Sequence, residues 1–217
     1  MHKRIAAIVM DIVDIDIQKI IFQKKVDLDR LRQINNWADN LNVDGFNDIF
    51  WLNTPGPFYT SITDSCGFGL IEAPLNVAGD ESWSEFVFRQ PNNHLEVEQT
   101  INAAATEVYY GYYIDGNNYW TVDLILEWWN KTESRIIYLL ERYSTELSRK
   151  INPGFGPQKL VPQNFKACID FYQFGLQSYL EWYIFVLHNK KVDLPTIKCD
   201  WSKRRSVDKE FKTKFAD

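Results

Sequence analysis

The sequence predicts an α+β fold, a small antiparallel sheet packed with several α-helices that include two long C-terminal ones. Three observations lead there. Apolar residues recur at spacings of three and four near the start of the chain and again over its C-terminal half, as amphipathic helices require. Between these regions lie short aromatic and β-branched runs broken by Gly and Pro, which suit strands and turns. The 217 residues are 45% apolar and 15% aromatic, enough to build a hydrophobic core and far from the composition of a disordered chain.

Ile5, Ile8, Val9, Ile12, Val13, Ile17, Ile20 and Ile21 share one face of a first helix, with Asp11, Asp14 and Gln18 opposite. Asp27 can cap a second helix that carries Leu28, Leu31, Ile34, Ala38 and Leu41, and the two form a hairpin. At "VDGFNDIFWLNTPGPFYTSITD" the residues Gly45, Pro55, Gly56 and Pro57 break helices, and 48–53 and 58–62 read as strands. "SEFVFRQP", 84–91, alternates Phe86 and Phe88 with Glu85, Val87 and Arg89, a strand with one buried face that ends at Pro91. Residues 93–107 permit a helix. "DGN" at 115–117 makes a turn, after which Thr121 can cap a long helix to about Lys150. "NPGFGP", 152–157, is a hinge, and Pro162 opens another helix whose apolar residues wrap most of its circumference. The chain thus reads as one α+β domain over 1–217: a helical hairpin (1–42), an acidic strand-rich part (43–120), long helices (121–190) and a basic tail (191–217).

Charge is distributed unevenly behind the formal total of −5. From Asp39 to Glu127 there are fourteen acidic residues against one basic residue, Arg89, a net −13. From Lys190 to Lys214 there are nine basic and four acidic residues, a net +5. The anionic middle repels a phosphate backbone and attracts a basic protein, so the expected partner is protein rather than nucleic acid. Arg89, alone among anions, is expected to pair with Asp64 or Asp115. The longest apolar runs are interrupted before bilayer-spanning length, and Asp11 comes too early for a signal-peptide core, which predicts a cytoplasmic protein with no membrane partner.

"TDSCGFGLIEAPLNVAGDESW", 63–83, carries a cysteine, three glycines and four acids. Cys66 beside Gly67 in a tight turn could be an activated nucleophile, but His2, His94 and His188 form no signature with it, and a plain thiol is the simpler assignment. Cys66, Cys168 and Cys199 are too widely spaced for a disulfide framework or a metal site, so reduced thiols and no cofactor are expected. "NPGFGPQK" has the wrong Gly-to-Lys spacing for a phosphate loop, and a calcium loop from Asp115 fails where Leu126 replaces the required Glu. The densest feature is aromatic: Tyr109, Tyr110, Tyr112, Tyr113, Tyr119, Trp120, Trp128 and Trp129. Such side chains stack sugars, anchor protein interfaces or fill a core. Adjacent on one helix, Trp128 and Trp129 cannot both face fully inward, so one is expected to be partly exposed or covered by another element.

The blocks "GPFYTSITDSCGFGLIEAPLNV", "SEFVFRQP" and "GYYIDGNNYWTVDLILEWW" resemble a group of small bacterial proteins with GPFYT-x-x-TD-x-C, F-x-RQP and GY-x-x-DG/EWW patterns, some of which carry the label ferredoxin. The resemblance covers about residues 55–130 and implies kinship without implying an activity. A ferredoxin needs several closely spaced cysteine ligands, and Cys66 is alone in that region.

These observations together predict a non-enzymatic binding protein of the immunity-protein type, which neutralises a basic toxin domain through an acidic, aromatic-rich surface. The residues expected at that surface are Asp64, Glu72, Asp80, Glu81, Glu85, Asp115, Tyr112 and Trp120. The alternatives are a small enzyme using Cys66, Asp64 or Asp115, and a carbohydrate-binding module built on Trp120, Trp128 and Trp129.

Overall fold

A computed structural model describes residues 14–148, 161–192 and 194. The residues Ile5–Val13 that the sequence pattern assigns to the first helix, the 152–157 hinge, Cys199 and nearly all of the basic tail lie outside the described residues. Helices α1 (Ile15–Ile21) and α2 (Leu28–Ile34) begin at the N-caps Asp14 and Asp27, whose carboxylates accept the amides of Asp16 and Arg30. The second helix is shorter than its pattern suggests. Asn35 takes extended backbone, and Ala38 falls in a 3-10 turn, Asn36–Asn40, rather than on the helix. Asn35 accepts the Trp37 amide there, so a local Asx bond competes with helix propagation.

Among the described residues the strand content is two separate antiparallel pairs. Strand β1 (Tyr59–Thr60) pairs with β4 (Tyr112–Tyr113), placing Tyr59 opposite Tyr113. Strand β2 (Val77–Gly79) pairs with β3 (Glu85–Val87), placing Gly79 opposite Glu85. The stretch 48–53 is not a strand: a 3-10 turn at Phe46–Asp48 precedes it, and the Asn53 amide closes on the Phe50 carbonyl at 3.0 Å. The 84–91 strand is reduced to 85–87, and both of its faces are buried.

Side-chain amides complete what these short ladders leave open. Asn53 Oδ1 accepts the amides of Val87 at 2.8 Å and Thr60 at 3.1 Å, and Asn53 Nδ2 donates to the Thr60 carbonyl at 2.9 Å. Gln90 Oε1 accepts the Phe58 amide at 3.0 Å while its Nε2 donates to the carbonyls of Thr54 and Phe58. Buried backbone groups need partners, and here side chains supply what a longer sheet would have supplied.

Helices α3 (Phe68–Glu72) and α4 (His94–Thr106) pack on each other beside these ribbons. The long helix α5 (Val122–Ser148) starts where Thr121 Oγ1 accepts the Leu124 amide at 3.2 Å. Helix α6 (Val161–Asp170) packs along α5 and runs through a π-helical turn, Phe171–Gly175, into α7 (Leu176–His188). Ile17, Leu31, Phe58, Phe86, Ile101, Trp120, Leu139 and Tyr183 belong to one buried apolar cluster that joins the helices to the ribbons. Trp128 and Trp129 are both buried, their ring centroids 6.2 Å apart, with Trp128 Nε1 donating to the Trp51 carbonyl at 2.8 Å. No helix among the described residues is long and apolar enough to cross a membrane.

Candidate functional site

The 63–83 stretch folds as a loop, helix α3 and the β2–β3 hairpin turn, and it converges with the 107–111 loop. Asp64 donates its amide to Glu107 Oε1 at 2.8 Å, Gly111 donates its amide to Glu107 Oε2 at 2.7 Å, and the Ser61 amide meets the Gly111 carbonyl at 2.8 Å. One buried carboxylate therefore ties two loops together. Glu85 ties in the hairpin: its Oε1 accepts the Gly69 amide at 2.9 Å, its Oε2 accepts the Tyr112 hydroxyl at 2.6 Å, and its own amide donates to Thr63 Oγ1 at 2.9 Å. A Cβ on Gly69 would overlap the Glu85 carboxyl and the Tyr112 hydroxyl, which is why glycine is needed at that contact.

Burial pushes the Glu85 carboxyl up to about 7, and the Asp64 and Glu107 charges add to the rise against the opposing hydrogen bonds from Tyr112 and Gly69. The same burial, with the Glu85 charge, holds Tyr112 far above the usual phenol range.

The loops around this acidic floor expose several large apolar side chains. Ile62, Phe68, Trp83, Val108, Tyr109 and Tyr110 are all exposed, Ile62 at 78% and Tyr109 at 65%. The backbone is unusual at the same place. Ser65 (φ 59°), Gly67 (φ 76°), Trp83 (φ 64°) and Tyr110 (φ 54°) all adopt left-handed conformations. For a bulky residue such as Trp or Tyr that conformation is costly, of the order of 1–3 kcal/mol, and it persists only where surrounding contacts enforce it. The Trp83 amide donates to the Asp80 carbonyl at 3.1 Å, Asp80 Oδ1 accepts the amides of Ser82 and Ser84, and Arg135 of α5 clamps Asp80 and Glu81. Asn42 Nδ2 in turn holds the Tyr110 carbonyl at 2.5 Å.

The expected site residues divide by burial. Asp64, Glu72 and Asp80 are half-buried and Glu81 is exposed, all on or beside this loop cluster. Glu85, Asp115, Tyr112 and Trp120 are buried, so they are not the surface contacts the sequence suggested. Glu85 and Tyr112 form the floor. Asp115 instead accepts the Tyr59 hydroxyl and the Asp44 amide, and Trp120 packs edge-on against Phe46. Trp128 and Trp129, buried like Trp120, offer no stacking platform for a sugar.

Arg89 pairs with Glu96 at 2.7 Å, not with Asp64 or Asp115, because α4 begins at Asn93 and brings Glu96 back across the strand end. Cys66 is exposed, and its amide donates to Asp64 Oδ1 at 2.8 Å. Partial desolvation, then the Asp64 charge and hydrogen bond, raise its thiol above the ordinary value, the opposite of an activated nucleophile. Among the described residues no group of three His, Cys, Asp or Glu side chains is arranged to hold a metal ion.

The exposed Ile62, Phe68, Val108 and Trp83 escaped the sequence reading because isolated apolar residues in loops look like core residues. The one usable sign, for Ile62, Phe68 and Trp83, was their position beside Ser or Gly residues, where turns carry side chains outward. No family model matches the chain, and no curated protein and no solved structure matches it.

Proposed function

We propose that the protein is a non-enzymatic binding protein of the immunity type, and that it grips a basic protein partner with the cluster of loops 61–68, 80–84 and 107–110. The observation that carries this reading is the coincidence of exposed large apolar side chains with enforced left-handed backbone at Trp83 and Tyr110. The β2–β3 hairpin needs a left-handed residue at position 83, where Asp80 and Ser84 close a three-residue loop, but the fold's own stability gains nothing from placing a part-exposed Trp there in place of Gly. A binding surface does gain, because aromatic anchors held rigidly before contact lose little entropy on docking.

Charge supports the choice of a basic partner. Asp64 and Glu81 belong to the gripping loops themselves, and the long central segment is strongly anionic, so a cationic surface would be steered toward it and complemented at its rim. An enzyme built on Cys66 has less in its favour, since the thiol is flanked by carboxylates that hold it protonated.

The test is affinity capture from the native cell with the wild-type chain and with a Phe68→Ser/Trp83→Ser variant. The expected outcome is a stoichiometric basic protein captured by the wild type and lost with the variant. Capture that is equal for both chains, or capture of nothing in stoichiometric amount, overturns the proposal.

A further inference from the structure

We propose that Glu85 is a proton-operated lock beneath the loop cluster: neutral, it holds the 61–69 and 107–111 loops in their gripping arrangement, and charged, it lets them loosen. The consequence for binding rests on the interface reading above, whereas the lock itself is a property of the free protein.

The geometry carries the inference. Glu85 is 1% exposed and stands where three elements meet. Its Oε1 takes the Gly69 amide at the start of α3, its Oε2 takes the Tyr112 hydroxyl on β4, and its amide is fixed to Thr63 Oγ1. The ionisable groups acting on it are acids and a phenol: Asp64 from the 61–67 loop, Glu107 from the 107–111 loop and Tyr112 from β4, with Cys66 coupled to it from the same loop as Asp64. Helix α3 contributes the Gly69 amide, and its own acid, Glu72, lies at its C-terminal end. Strand β1 contributes the Thr60 hydroxyl, which donates to the Glu85 carbonyl at 2.6 Å.

Charging Glu85 therefore creates a buried anion beside two others, and the two hydrogen bonds to it do not offset the lost hydration. The chain segments with freedom to relieve that repulsion are the loops that carry Asp64 and Glu107, and these are the loops that present Ile62, Phe68, Tyr109 and Tyr110. Protonation removes the repulsion. A neutral carboxyl still accepts the Gly69 amide and still shares a hydrogen bond with Tyr112, so the arrangement is retained. Because burial raises the carboxyl to about 7, the lock changes state across neutral pH and is closed on the acidic side.

Amide hydrogen exchange of the free full-length chain, corrected for intrinsic rates and followed by mass spectrometry from pH 5.5 to pH 8.5, tests this. Protection of peptides covering 61–69 and 107–111 should fall by about tenfold between pH 6 and pH 8 beyond any change in α5, as proton linkage to one such group requires. Glu85→Gln, a neutral isostere, should abolish the step, and Asp64→Asn should move it to lower pH by removing a neighbouring charge while keeping the oxygen that caps the Cys66 amide. A step that is absent from the wild type, that persists in Glu85→Gln, or that is unmoved in Asp64→Asn overturns the proposal. Should Glu85→Gln fail to fold, the Asp64→Asn comparison decides alone. No partner takes part, so failure here leaves the interface reading standing, and loss of that reading leaves this result intact.

Discussion

The Tyr59 hydroxyl donates to Asp115 Oδ1 at 2.8 Å, and the second oxygen of the same carboxylate accepts the Asp44 amide at 2.7 Å. Asp44 itself has a φ of 65°. One buried acid thus joins strand β1, the left-handed turn at Asp44 and the 3-10 turn at Gly116–Asn118. Asp115→Ala removes the acceptor of a buried hydroxyl proton and of a turn amide, and each buried donor left so costs about 1–3 kcal/mol. Urea denaturation should show a loss in that range or above it. An unchanged midpoint would mean that water replaces the carboxylate at no cost.

The Arg89–Glu96 pair has a similar asymmetry. Glu96 also accepts from Asn76 Nδ2 and the Asn92 amide, both at 3.1 Å, and is more buried than Arg89. Losing Glu96 therefore strands several donors, whereas losing Arg89 takes a donor from the Leu75 carbonyl and from Glu96, which keeps other partners. Glu96→Ala should destabilise more than Arg89→Ala, and a double-mutant cycle should return a coupling of roughly 1 kcal/mol or more for a partly buried pair of this kind. Equal single-variant losses with no coupling would reduce the pair to a surface contact.

Global stability should depend on pH through Glu85. Its carboxyl is raised from the usual 4.5 to about 7 on folding, so the folded state binds this proton more tightly than the unfolded chain does. Relative to alkaline solution, the stabilisation is fully present below about 4.5 and is lost as pH rises through about 7. The Glu85 contribution to unfolding free energy should decline between these limits by roughly 3 kcal/mol at most. Denaturation of wild type and Glu85→Gln at pH 5, 6, 7 and 8 isolates it: the difference between them should grow in favour of the variant as pH rises.

The thiols give an independent check on the chemistry. Cys66 is exposed but has a raised thiol, and Cys168 is buried. At neutral pH iodoacetamide should label Cys66 more slowly than a small free thiol and should label Cys168 only after denaturation. Labelling of Cys66 faster than the free thiol would reinstate it as a nucleophile.

The helices were legible because their caps and periods are local. Asp27, Thr121 and the 3.6-residue apolar pattern act within a turn or two of themselves, and the structure starts α2 and α5 at those residues. The ribbons were less legible because their ladders are short and side-chain amides complete them. Asn53 reaches Val87 and Gln90 reaches Phe58, contacts across more than thirty residues that leave no periodic trace. The site divides the same way. The acids of the central segment were visible as charge, but whether an acid faces water or accepts buried amides depends on tertiary neighbours, so Glu85 and Asp115 could not be separated from Glu81 by composition. Trp83 and Tyr110 as outward-facing residues depend on left-handed backbone that a sequence pattern does not report.

Paired surface variants separate a gripping surface from incidental exposure of the apolar loops. Phe68→Ser, Trp83→Ser and Tyr109→Ser together remove the anchors from the cluster, while Ile15→Ser, Trp37→Ser and Leu95→Ser together remove a similar apolar area from α1, the 36–40 turn and α4, where those side chains are also exposed. The measurement is the dissociation rate of the captured basic protein from each chain at fixed salt, taken alongside thermal melting. Dissociation should be at least about a hundredfold faster for the cluster variant, the loss of more than one anchoring contact, with a melting temperature close to the wild type and little change for the control trio. Unchanged dissociation from the cluster variant, or an equal loss in the control trio, would contradict a gripping surface.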